Sequence, residues 1–69
     1  MGLPYQEIRD LGMIISEVRT MESRYQELRV SGGPEAFEAM DDLHRKVLEA
    51  YELEDRIFQQ IVSVLEQGF

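Results

Sequence analysis

The stretch Arg29–Phe37, RVSGGPEAF, decides how this chain folds. Two adjacent glycines followed by a proline end one helix and begin another. Glycine takes the left-handed conformation that closes a helix C-terminus, and proline suits the first helical position, where its missing N–H costs nothing. Glu35 and Glu38 fall in the first turn after Pro34, where they complement the positive end of a helix dipole. No other glycine–proline cluster interrupts the chain before Gly68, so helical periodicity runs far in both directions. The sequence predicts a helix over about 4–30, a turn at 31–33 and a second helix over about 34–67. A turn this short lays the helices antiparallel, giving an all-α, coiled-coil-like two-helix hairpin as a single domain over 1–69.

The first helix carries one apolar seam: Leu11, Ile14, Val18, Met21, Tyr25 and Leu28, spaced alternately three and four apart. Ile8 and Ile15 are expected to widen it on one side. Its opposite face is polar, with Glu17, Arg24 and Glu27. The second helix carries two seams. One is Met40, Leu43, Val47, Ala50, Leu53, Ile57, Ile61 and Val64. The other is Leu48, Tyr51, Phe58, Val62, Leu65 and Phe69, extended towards its start by Phe37 and His44. The first helix covers only one of these. The remaining stripe points to association that completes a helical bundle, and Asp55 interrupts it between Tyr51 and Phe58.

Composition sharpens this expectation. Of the 69 residues, 43% are hydrophobic and 30% charged, which is a globular balance and not a disordered one. With no cysteine, neither a disulfide nor a thiolate zinc site can supplement a small core. Chains this short bury only about 60% of their unfolded surface, so association is the remaining source of stability. The net charge of −7 disfavours nucleic acid and anionic membrane surfaces as partners. No apolar run approaches the ~20 residues of a membrane span, the N-terminus does not read as a signal peptide, and Gln6 stands where a myristoylation motif needs Ser or Thr. The expected location is cytoplasmic.

Constellations for chemistry are sparse. Glu38, Asp41 and His44 stack at i, i+3 spacing, the way bundle di-metal sites present ligands. His44 is the only histidine, however, and the first helix's inner seam supplies no facing acid. A solvated flank with Asp41–Arg45 and Asp42–Lys46 pairs at i, i+4 accounts for the same residues. Ser16, Ser23, Ser31 and Ser63 lack a base within one turn, the glycines lack the strand and Lys-Ser/Thr of a phosphate loop, and a lone hairpin offers no cleft for a small-molecule substrate. The acids Asp41, Asp42, Glu49, Glu52 and Glu66 alternate with Arg45, Lys46 and Arg56, unlike a nucleic-acid mimic. The reading is therefore no enzyme, no cofactor and no metal. A non-catalytic interaction module is expected, binding a partner helix through Leu48, Tyr51, Asp55, Phe58, Val62, Leu65 and Phe69. Two alternatives stand beside it: a homodimeric four-helix bundle with a structural or regulatory role, and a metal-binding bundle.

Around the turn, residues Leu28–Met40, LRVSGGPEAFEAM, resemble the small helical-hairpin subunit of type III secretion needle chaperones, in the glycine-containing turn followed by an acid and an aromatic at Phe37. That resemblance covers about a fifth of the chain. It implies a hairpin paired with a helical-repeat co-chaperone, together keeping a needle subunit from polymerising.

Overall fold

The structure, a computed structural model, describes residues 2–68 and consists of two helices, α1 (Tyr5–Ser31) and α2 (Pro34–Gly68), packed along each other. The turn is one residue tighter than expected, because Ser31 completes α1 and only Gly32 and Gly33 lie between the helices. Both glycines have positive φ, 65° and 132°. Gly32, with ψ 150°, donates its N–H to the carbonyl of Leu28 at 3.1 Å, and Gly33 accepts from the Ala36 N–H at 3.2 Å. These bonds satisfy groups that the two helix ends leave without intrahelical partners. At the opposite end of α1 the Pro4 carbonyl accepts the Ile8 N–H at 3.0 Å, so α1 begins at Tyr5 and Pro4 caps it.

One ion pair marks the register. Lys46 Nζ lies 2.8 Å from Glu17 Oε2 across the helix interface, which sets position 46 level with position 17. Counting outward in opposite directions, Ala50 is level with Met13, Asp55 with Ile8 and Phe58 with Tyr5. The C-terminal turns of α2 therefore run past the first helical residue of α1. At that end Pro4 is buried and Ile61–Val64 are half-buried.

Between the helices the core is thin. Leu11, Ile14, Val18, Met21, Tyr25 and Leu28 of α1 face α2 as expected, but each is only half-buried. Among the described hydrophobic residues, Leu53 and Ile57 of α2 are the buried ones. Two corrections to the expected seams follow. Met40 is exposed, and Ala39 takes the inward position with Ala36, Leu43 and Lys46. An alanine at that inward position needs less room between the helices than a methionine would. Ile8 and Ile15, expected to widen the inner seam, are exposed as well.

A rod of 55 × 14 × 12 Å results, with a radius of gyration of 16.3 Å, against about 11 Å for a compact domain of this length. Its accessible surface is 5628 Å². A compact monomer of 8.1 kDa would expose about 4,500 Å². The hairpin thus carries on the order of 1,000 Å² that a self-sufficient fold would have removed from water.

Candidate protein-docking flank

Two packed helices leave two grooves, one on each side of their contact plane, and the residues in them differ sharply. One flank is mainly charged, with Met13, 61% exposed, the open apolar side chain on it. Glu7, Asp10, Glu17, Glu49 and Arg56 line its part nearer the open end, and Arg24, Glu35, Glu38 and Asp42 its part nearer the turn. Lys46 reaches into this flank with its side chain 26% exposed, 2.8 Å from Glu17 and 3.2 Å from Glu49. Hydrogen bonds that Lys46 donates to Glu17 and then to Glu49 raise its pKa above the ordinary lysine value, against a smaller opposing effect of burial. The expected Asp42–Lys46 pair does not form, since the half-buried lysine is held towards α1 where Glu17 meets it. Arg45 does pair with Asp41, at 2.7 Å.

The other flank is apolar. Phe37 and Met40 line it near the turn, with Tyr25 and Arg29 of α1 beside them, and Tyr51, Asp55, Phe58 and Ile61 line it further along. Leu48, Tyr51, Phe58 and Leu65 are all exposed, Tyr51 by 63% and Phe58 by 60%. At 100° per residue, Ile8 and Ile15 of α1 turn to this same side, in the direction of Leu11 and away from Asp10 and Glu17. Their exposure makes the uncovered surface two helices wide, not a single stripe on α2. Sequence periodicity did not reveal this, because Ile8 and Ile15 sit at the edge of the inner seam and the wheel alone cannot tell edge from interior.

Of the stripe residues expected to bind a partner, Leu48, Tyr51, Asp55, Phe58 and Leu65 share this flank in the open. Val62 also turns this way but is half-buried at the open end of the hairpin. Phe69 lies outside the described residues. Asp55 is exposed and level with Ile8. Gly12 turns towards the rim of the same flank on α1, and a Cβ placed there would meet nothing within 4 Å. A mid-helix glycine weakens a helix by about 1 kcal/mol relative to alanine, and no contact inside the hairpin requires it.

Among the described residues no group of three or more His, Cys, Asp or Glu side chains converges to hold a metal ion. Glu38, Asp41 and His44 instead point along the helix surface as separate side chains, and Asp41 is engaged by Arg45. No helix of the described residues is long and apolar enough to cross a membrane.

No family model matches the chain, and no curated protein or solved structure is significantly similar to it.

Proposed function

We propose that this hairpin is a non-enzymatic protein–protein interaction module, a small chaperone, adaptor or assembly subunit that docks helices of a partner against its apolar flank. The observation that carries the reading is the size and placement of that flank. Exposed aromatic and aliphatic side chains run along it on both helices, while among the described residues the hydrophobic core between the helices is Leu53 and Ile57. Contiguous apolar patches of this extent mark binding surfaces, and an amphipathic helix reads such a groove through anchors spaced three and four residues apart. Tyr51 and Phe58 are the anchors, since aromatic side chains combine large buried area with little rotamer entropy.

The resemblance at the turn fits this reading, with a helical-repeat protein as one form the partner takes. The homodimeric bundle uses the same flank. Immobilised hairpin provides the test. Proteins retained by the native chain, including a differently tagged copy of itself, should be lost when Tyr51→Ser and Phe58→Ser are combined. They should persist with Glu49→Gln and Arg56→Gln on the charged flank. Equal retention by both variants overturns the assignment of the flank.

A further inference from the structure

The proposed docking flank has a geometry that selects its occupant, and the inference drawn from it rests on that reading. We infer that the occupant is a second copy of this chain, related by a twofold axis perpendicular to the helices at the level of Met13–Ile14 on α1 and Glu49–Ala50 on α2. The product is an antiparallel four-helix bundle in which α1 packs on α1 of the partner and α2 on α2.

Area is the first argument. A stable interface removes about 800 Å² from each partner, and the hairpin exposes an excess of on the order of 1,000 Å² over a compact chain of its mass. A surface two helices wide is what a second hairpin of the same 55 Å length covers, whereas one added helix would leave part of it in water.

Register is the second argument, and here two helices agree independently. On α2, Asp55 is the acid that interrupts the stripe. It finds a side chain able to carry the opposite charge if it meets His44 of the other copy, which shares the face of Tyr51, and this requires a crossing midway between the two, at Glu49–Ala50. Tyr51 then faces Leu48 of the other copy. On α1, Gly12 is a gap one turn from Ile15. Seating Ile15 of one copy against Gly12 of the other requires a crossing at Met13–Ile14. The Glu17–Lys46 ion pair sets those two positions level within the hairpin. A single twofold axis therefore satisfies both helices at once, and each α1 contact and each α2 contact occurs twice, as an isologous interface demands.

Charge is the third. The chain carries −7 overall, but most of its acids turn to the other flank or away from both. Along the apolar flank Arg19 and Arg29 stand against Glu22, Glu54 and Asp55, so two such faces meet without strong repulsion. Asp55 then fixes register, since shifting the copies by one turn leaves it against apolar side chains at a desolvation cost.

Sedimentation equilibrium on the full chain, with helicity followed by circular dichroism, tests this. The native chain should have twice its 8.1 kDa mass. Gly12→Leu should raise helicity in the hairpin, where space is open, yet weaken the dimer about tenfold or more by blocking Ile15. Asp55→Arg should weaken it comparably by setting a cation against His44, and adding His44→Asp should restore it. A folded monomer at about a hundred micromolar overturns the second copy as occupant while leaving the flank's role to the capture experiment. A dimer indifferent to Gly12→Leu, or one that the reciprocal swap does not restore, overturns the axis. A dimer that survives Tyr51→Asp with Phe58→Asp overturns both the inference and the flank on which it rests.

Discussion

Dilution is the most direct perturbation of a fold that depends on its neighbour. If the hairpin folds only on pairing, the melting unit is two chains of 69 residues, and its unfolding entropy near 60 °C is roughly 0.3 kcal/mol per kelvin at about 2.1 cal/mol/K per residue. A hundredfold dilution lowers the stability of the associated state by about 3 kcal/mol at that temperature, through mass action. The melting temperature should therefore fall by about 10 °C. Circular dichroism at 222 nm suits the measurement, because the described chain is helical almost throughout. The slope also reports the molecularity, since a tetramer would shift with a different concentration dependence. A melting temperature constant to within a degree would refute the reasoning: Leu53, Ile57 and the half-buried inner seam would then suffice by themselves, and the exposed flank would contribute nothing to folding.

Two further outcomes concern the hairpin itself. Gly32→Val or Gly33→Val should each cost more than about 1 kcal/mol, seen as a drop of several degrees in melting temperature, because φ is positive at both sites and Gly32 at ψ 150° occupies a region that essentially only glycine adopts; unchanged melting in both variants would contradict the turn geometry. Alkaline melts should isolate Lys46: its pKa is raised in the folded state, so the stabilisation is fully present below its unfolded value of about 10.4 and disappears as pH rises through the folded value. Lys46→Met should show no such component, and parallel pH profiles for the two proteins would rule out the Glu17 and Glu49 contacts as its source.

The fold was legible because its punctuation is chemical. Gly32, Gly33 and Pro34 can be read locally, and long 3.6-residue periodicity on both sides leaves only a hairpin. The half-buried faces followed for the same reason, since Leu53 and Ile57 sit at the centre of their seam on any helical wheel. Legibility failed at the edges. Met40 and Ala39 differ by one position, and only the distance between the backbones decides which faces inward. Ile8 and Ile15 lie at a border whose exposure depends on the rotation of α1 about its own axis. Lys46 could be paired with Asp42 by spacing alone, because sequence proximity says nothing about Glu17 across the interface. The candidate site was legible as the outer stripe of α2, but its second half on α1 was not.

The two flanks together explain why association of this chain would stop at a closed bundle. A copy approaching the charged flank would bring Glu7, Asp10, Glu17, Glu35, Glu38, Asp42 and Glu49 against their equivalents, with only Arg24, Lys46 and Arg56 to offset them. Lys46 is already engaged within the chain by Glu17 and Glu49. Opposed like charges there would cost free energy at every level of the rod, more at low salt than at high, because screening acts over about 8 Å at physiological ionic strength. The apolar flank has no such barrier, and once two copies cover each other's flank the outside of the bundle would be mainly polar, with Met13 and Val30 as exceptions. A hairpin with both flanks apolar would continue to add neighbours and form sheets of helices. In the proposed assembly the acids on the far side would convert a sticky rod into one that associates in one direction only, which is how a surface of one charge sign specifies against the wrong contact. Raising salt should therefore relax the limit before it weakens the contact: the hydrophobic flank holds while the electrostatic barrier on the other side is screened. Replacing Glu17, Glu38 and Glu49 with glutamine should move the protein from a defined species towards a distribution of larger ones, readable in the same sedimentation experiment. If the charge-neutralised chain keeps the mass of the native one at high concentration, the acids have no part in limiting assembly.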